Sequence, residues 1–237
     1  MALGTLRYGG HSTGPYGDGV GGGGLNLALH VGDDAAGVMR NRALLQEHLP
    51  SEPIWLDQVH GNAVVDAADA VGGTSADAII ASKPGQVCAV QTADCLPVLL
   101  ADAKGRVVGA AHGGWRGLAS GILENTVARM RSAGAEEIVG WFGPAIGAQQ
   151  FEVGEDVREA FRPRHARAVD AFRAIEGSPG KFLADIYMLA RLLLQEVGVE
   201  EVGGGHACTV SDRTYYSYRR DRVTGRMATL VWIKDQG

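Results

Sequence analysis

The chain predicts an α+β fold, a single compact domain of mixed β-sheets covered by helices, spanning residues 1–237. Three observations predict it. Short apolar runs of strand length and longer runs with helical spacing follow one another irregularly, without the beat of a βαβ array. No internal repeat organises them. The 237 residues are 46% hydrophobic, enough for one large core, and no linker-like composition divides them.

Taken in order, Arg7–Gly24 carries so many glycines that a mobile surface loop is expected around residues 9–24, with no core strand or helix persisting through it. Gly17, Gly19 and Gly22 formally match G-x-G-x-x-G, but no strand precedes them and no long helix follows, so a dinucleotide fingerprint is not predicted. No P-loop motif occurs. Asp33 or Asp34 caps a helix to about Leu49, where Pro50 stops it. Ile54–Leu56, Val64–Val65 and Ala78–Ala81 are short strand candidates joined by Gly/Asp-rich turns. His60 lies on one of those joints.

Chemistry concentrates in residues 88–117. Cys88–Thr92 and Val98–Ala101 flank a tight Ala93-Asp94-Cys95 corner, and Val107–Ala111 ends at His112 before Gly113-Gly114, which implies three buried strands. A helix is expected from Leu118 through Ile122, Val127 and Met130 to Gly134, its positive end beside His112. Further on, Ile138–Phe142 is a strand, Val153–Phe161 and Ile186–Val197 are helices, and Tyr215–Tyr218 and Thr229–Ile233 are strands.

The net charge of −5, and the absence of any Lys/Arg cluster beyond Arg219-Arg220, argue against a nucleic-acid partner. No run approaches the roughly 18 apolar residues of a membrane span, and the N-terminus lacks a signal-peptide pattern, so a cytoplasmic location without membrane partners is expected. Cys88, Cys95 and Cys208 form an odd set, expected as thiols.

Cys95, His112 and His60 are the candidate metal ligands. With no Cys-x-x-Cys pair to close a structural site, three protein ligands and one open position fit catalytic zinc best. The plain alternative is a small buried thiol and two histidines bonded to backbone. Seven histidines without a His-x-His pair argue against a multicopper centre, so copper is the less favoured metal. The His-x-Glu and Pro-Cys-x-x-Cys zinc-deaminase signature is absent. A metal-free rival uses the same atoms: Cys95 as nucleophile, His112 or His60 as base, and Asp94 or Asp57 as the orienting acid of a cysteine hydrolase.

At these residues the chain resembles the laccase-domain family, also called YfiH-like, peptidoglycan-editing-factor or multicopper polyphenol-oxidase-like proteins. The matching segments run almost end to end: Leu25–Leu27 with His30–Asp33, Asn41-Arg42, Gln58–Gly61, Thr92–Pro97, His112–Gly117, Gly143–Gly147, Ser217–Asp221 and Thr224–Arg226. The resemblance implies zinc held by His60, Cys95 and His112. It also implies phosphate-dependent cleavage of adenosine, inosine, guanosine or methylthioadenosine, with adenosine deamination besides. Editing of peptidoglycan precursors by hydrolysis and a copper polyphenol oxidase are the alternatives attached to the family. On this basis Cys95, His112 and Asp94 are the expected catalytic residues, with Asp94 a candidate proton relay. Arg116, Arg219 and Arg220 are expected to bind phosphate through guanidinium forks, and Asn26 and Gln58 to contact base or sugar. Trp115 is a candidate stacking face. The glycine-rich stretch between Tyr16 and Leu25 looks longer than the family's loop there.

Overall fold

The computed structural model describes residues 1–234, so the last three positions of the expected domain lie outside the described residues. In chain order the elements are β1 (Ala2–Gly4), β2 (Tyr8–Ser12), α1 (Ala35–Gln46), β3 (Val64–Asp66), β4 (Ala78–Ala81), β5 (Val87–Thr92), β6 (Leu96–Asp102) and β7 (Val108–Gly113). There follow α2 (Trp115–Ser120), α3 (Ile122–Ser132), β8 (Ile138–Phe142), β9 (Glu152–Gly154), α4 (Glu155–Phe161), β10 (Phe172–Ala174), β11 (Lys181–Ala184), α5 (Ile186–Glu196), β12 (Val202–Gly204), α6 (Tyr218–Asp221) and β13 (Met227–Trp232). The fold is the α+β arrangement expected.

A six-stranded mixed sheet in the order β12-β8-β6-β7-β4-β3 forms the frame. Its central strands are apolar at nearly every position because both faces are covered, and the two-residue period sorts their side chains. Ala78 and Ile80 of β4, Val98 and Leu100 of β6 and Ala111 of β7 point into a core shared with α2, α3 and α5. Their neighbours Ile79, Ala81, Leu99, Val108 and Ala110 point into a second core. There they meet Cys88 and Val90 of β5 and Val231 of β13, which belong to the three-stranded antiparallel sheet β1-β13-β5. The outer face of that sheet, with Val87, Ala89, Ala228 and Leu230, is covered by Leu45 of α1 and by Leu27 and Trp55. Helices, large sheet, small sheet and α1 thus stack in that order.

The helices follow their local signals. Asp34 caps α1 through its carboxylate, which accepts from the N–H groups of Ala36 and Gly37, and Asp185 does the same for Met188 at the start of α5. Each such cap is worth about 1 kcal/mol. In α5, Leu189, Leu193 and Leu194 are almost completely buried, each contributing on the order of 1.5–3 kcal/mol.

Several expectations are corrected. The single helix expected over 118–134 is two, because Gly121 takes φ 98° and turns the chain between α2 and α3. With only six residues in α2, the helix end beside His112 is a weak source of positive field. Ile54–Leu56 makes no strand: Ile54 forms one bridge to Cys88, and Trp55 and Leu56 are apolar because they are buried. Tyr215–Tyr218 makes no strand: Ser217 caps α6 by accepting from Arg220 N–H, and Tyr218 is the first residue of that helix. Residues 153–161 divide into β9 and α4, and β9 joins β10 and β11 in a small sheet that the sequence did not suggest.

The glycine-rich segment also differs from the loop expected around residues 9–24. Tyr8–Ser12 is the strand β2, bridged to Gly24, and Tyr16 is buried with its carbonyl accepting from the Tyr216 hydroxyl. The backbone passes so close to itself here that a Cβ on Gly10 would strike Gly24, and one on Gly24 would strike Tyr16. Glycine serves chain packing at these positions, while residues 19–22 stay exposed.

Candidate metal centre

The three expected ligands converge. Donor atoms of His60, Cys95 and His112 all lie within 4.8 Å of one another, with Cys95 Sγ 3.7 Å from His60 Nε2 and the two imidazoles edge to face at 4.7 Å between centroids. His112 is the penultimate residue of β7, opposite Pro97 of β6 in the antiparallel register. That register places it beside the corner that carries Cys95. His60 arrives on the loop before β3.

Two of the residues holding the site have positive φ without being glycine: His60 at 61° and Asp94 at 90°. Such backbone costs of order 1–3 kcal/mol and persists only where neighbours enforce it. For His60 the enforcement comes from Asp77, a wholly buried carboxylate just before β4. Asp77 accepts from the N–H groups of Val59 (3.2 Å), His60 (2.9 Å) and Gly61 (2.6 Å), and from His112 Nδ1 at 2.8 Å. One side chain therefore sets both the His60 turn and the His112 tautomer, leaving His112 Nε2 free to face the ligand cluster. Burial raises the Asp77 carboxyl, yet the bonds from His112, Gly61 and His60 bring it below its ordinary value.

Asp94 is held in the same manner. Its Oδ1 accepts from the Thr209 hydroxyl and its Oδ2 from Arg219 N–H, both at 2.6 Å, and its carbonyl accepts from Ile146 N–H at 2.9 Å. Each carboxylate oxygen accepts a hydrogen bond that fixes the corner, and Asp94 also lines a cavity at the cluster. The acid that orients His112 is likewise Asp77, and neither Asp94 nor Asp57.

Electrostatics favour a bound thiolate. Burial raises the Cys95 thiol, but His112 and His60 outweigh it and bring the group down to about 6. Burial lowers His112, while the Cys95 thiolate and Asp77 carry it up to about 9. The residues fit a cation on a further ground: a Cβ on Gly114 would stand 2.8 Å from His60 Cδ2, 3.4 Å from Cys95 Sγ and 3.6 Å from His112 Cε1. The cluster needs that backbone position bare. Among the described residues no other group of His, Cys, Asp or Glu has metal-ligand spacing.

Two cavities meet at the cluster. One of about 390 Å³ is lined by His30, Gln58, Gln91, Thr92, Tyr218 and Arg226 together with the three ligands. The other, about 260 Å³, shares His60, Cys95 and Tyr218 and adds Trp115, Arg116, Phe151 and Arg219. Arg219 donates to the carbonyls of Glu152 and Gln150, and Arg116 lies over the Trp115 ring at 4.5 Å.

The remaining expected residues separate. Arg220 is spent on structure: it donates to the carbonyls of Thr209, Val210 and Tyr215 and pairs with Asp221, so no phosphate fork remains. Asn26 is fully buried, donating to Ala28 O and Asp33 and accepting from the N–H groups of Ala28 and Arg226. It ties turns together and touches no cavity. Gln58 lines the larger of the two cavities while its amide exchanges hydrogen bonds with the Gln91 backbone at 2.9 and 2.7 Å. Asp77, Thr92 and Arg226 were passed over in the sequence. The signal for Arg226 and Thr92 was their place in the matching segments Thr224–Arg226 and Thr92–Pro97; a lone Asp beside apolar runs gave none.

Comparison with known proteins agrees along the whole chain. It is 50% identical over 232 residues to the purine nucleoside phosphorylase PA4543 of Pseudomonas aeruginosa, covering 98% of this chain and 92% of that protein. It is 48% identical over 236 residues to the purine nucleoside phosphorylase YfiH of Escherichia coli K12, covering 98% and 93%. Among solved structures, NMB0706 of Neisseria meningitidis superposes with a TM-score of 0.90 at 48% identity, covering 99% of this chain and 94% of that one. YlmD of Geobacillus stearothermophilus superposes at 0.86 with 31% identity, covering 99% and 92%. The model of the family described as multi-copper polyphenol oxidoreductase laccase matches residues 1–234, and this chain belongs to that laccase-like, YfiH family.

Proposed function

We propose that this chain is a zinc-dependent purine nucleoside phosphorylase that also deaminates adenosine. The observation that carries this is the His60, Cys95 and His112 cluster, three donors with one side facing two cavities. Three protein ligands of this kind with an open side are the pattern of catalytic zinc. The names of the relatives at 50% and 48% identity support the substrate class.

In phosphorolysis a phosphate oxygen forms a bond to ribose C1′ as the C1′–N9 bond breaks. The electron pair leaves with the purine, which takes up a proton, and ribose 1-phosphate remains. His60, Cys95 and His112 would hold the zinc, which would supply Lewis acidity at this position. The protein's own groups do the rest. Asp77 keeps His112 in the tautomer whose Nε2 faces the cluster, and Asp94 keeps the Cys95 corner and Arg219 in place. Trp115 and Tyr218 offer flat faces at the cavity edge to a purine. Adenosine deamination replaces the C6 amino group with oxygen from water at the same centre, releasing ammonia. Three unpaired cysteines fit a reducing cytoplasm. Among the described residues no helix is long and apolar enough to cross a membrane.

One observation favours a second reading. Asp77, His112 and Cys95 also form the acid, base and nucleophile order of a cysteine hydrolase, with the thiol already lowered to about 6. A copper oxidase is disfavoured because the described residues hold a single ligand cluster, whereas reduction of oxygen at several coppers needs more imidazoles. Incubating the protein with adenosine, with and without phosphate, separates these. Adenine and ribose 1-phosphate forming only with phosphate, and lost on chelation, supports the phosphorylase. Phosphate-independent amide hydrolysis that survives chelation refutes it.

A further inference from the structure

The larger of the two cavities at the metal centre has a chemical bias. Its lining holds Arg226, His30 and the two ligand imidazoles, and no carboxylate. By contrast, the roughly 750 Å³ cavity that adjoins it through His30 and Gln91 is lined by Glu52 and Asp57 beside its arginine, and the 260 Å³ cavity includes Asp94. A polyanion is repelled least where no carboxylate faces it.

Two donors in this cavity lack protein acceptors. Thr92 is 1% exposed, and its hydroxyl finds no hydrogen-bond partner. A buried hydroxyl left in that condition is destabilising, and the cost is recovered when a ligand accepts from it. Arg226 spends only Nη1, on the carbonyls of Thr224 and Gly225. Its Nε and Nη2 have no acceptor among the described residues. Of the other arginines near the centre, Arg220 is engaged by backbone carbonyls and Arg219 by Gln150 and Glu152, while Arg116 lies over the Trp115 ring beside the cavity that includes Asp94.

The fold brings the two donors together. In the antiparallel pairing of β5 and β13, Thr92 stands opposite Met227, so Arg226 is one residue from the partner of Thr92. The Arg226 backbone is fixed from behind by Asn26 Oδ1, which accepts its N–H at 2.9 Å. Gly225 lets the chain pass there, since a Cβ would stand 2.7 Å from the Tyr216 ring and 2.8 Å from Asn26 Cβ. Asn26 therefore acts on the cavity through Arg226.

We infer that Thr92 and Arg226 form the phosphate subsite of this centre, the guanidinium taking two phosphate oxygens through Nε and Nη2 and the threonine hydroxyl donating to a third. The assignment rests on the phosphorylase proposal for its place in a reaction, and on the two unpartnered donors for its existence. Phosphate held here approaches the metal centre from the β5/β13 side. The nucleoside then occupies the side of Trp115 and Phe151, and the two substrates meet at the cluster.

The test uses the metal-loaded full chain as wild type, Thr92→Val, Arg226→Lys and Arg226→Met. Inorganic phosphate is titrated calorimetrically, and KM for phosphate and for adenosine are measured separately. Arg226→Met is expected to raise the phosphate Kd and KM by about 10- to 100-fold, and Thr92→Val by about 3- to 10-fold. Arg226→Lys should fall between wild type and Arg226→Met, because a point charge replaces a fork. KM for adenosine stays within about twofold throughout. Phosphate Kd and KM unchanged in folded Thr92→Val and Arg226→Lys overturn the subsite, as does an equal rise in both KM values. If wild type binds phosphate in an Arg226-dependent way yet cleaves no nucleoside, the subsite stands and the phosphorylase proposal falls.

Discussion

Replacing Asp77 by asparagine probes how much of the metal centre one buried carboxylate holds. In the wild type Oδ1 serves His60 N–H and His112 Nδ1–H, while Oδ2 serves Val59 and Gly61 N–H. An asparagine has one oxygen and one NH2 group. Whichever way it turns, two of the four donors meet another donor. At about 1–3 kcal/mol for each buried donor left unpaired, partly relieved by movement of the 59–61 turn, Asp77→Asn should cost about 2–4 kcal/mol. His60 is then released from its φ of 61° and His112 from its tautomer. Loss of such a supporting bond typically weakens metal binding about 10- to 100-fold. Urea unfolding of the metal-free protein measures the first quantity, and zinc competition against a chromophoric chelator the second. A variant within about 0.5 kcal/mol of wild type and within twofold in zinc affinity refutes the role assigned to Asp77.

Three further outcomes are expected. Gly114→Ala places a Cβ 2.8 Å from His60 Cδ2 and should weaken zinc binding about tenfold with little change in the melting temperature; unchanged zinc competition contradicts this. Asp102 accepts from Arg106 and from Glu136 N–H, and the Arg106 guanidinium foremost holds its carboxyl far below the ordinary range. Its folded value being depressed, its contribution is complete above the unfolded value of about 3.9 and lost as pH falls further. The urea midpoints of wild type and Asp102→Asn should therefore differ at pH 7 and converge toward pH 2, and a gap that is flat with pH disproves it. Tyr187→Phe removes the hydroxyl that accepts from Ala145 N–H at 2.7 Å, leaving that buried donor unpaired at a cost of about 1–3 kcal/mol in urea unfolding.

The centre of the fold was legible because β4 to β7 are covered on both faces, so nearly every residue is apolar and strand length alone marks them. The ligands were legible for a related reason: Cys95 and His112 interrupt apolar runs at strand ends, where a soft donor has no packing purpose. Elsewhere local pattern and structure part. The apolar stripe of residues 118–130 spans α2 and α3 alike, so the Gly121 break left no trace in its period. Ile54–Leu56 is apolar through burial under Arg42 and the small sheet, without a strand partner along its length. The small sheet of β9, β10 and β11 is built from strands of three or four residues, too short for alternation to register. Asn26 and Arg220 looked like binding groups because their types suit it, and only the hydrogen-bond partners reveal them as ties. Asp77 was hidden because a carboxylate's worth here lies in four donors that sequence distance conceals.

The most direct measurement is metal stoichiometry and adenosine phosphorolysis taken together across His60→Ala, Cys95→Ser and His112→Ala. One zinc per wild-type chain, lost from each variant along with formation of ribose 1-phosphate, is the predicted result. Full phosphorolysis by Cys95→Ser, or a full complement of zinc in a variant lacking either histidine, would contradict it.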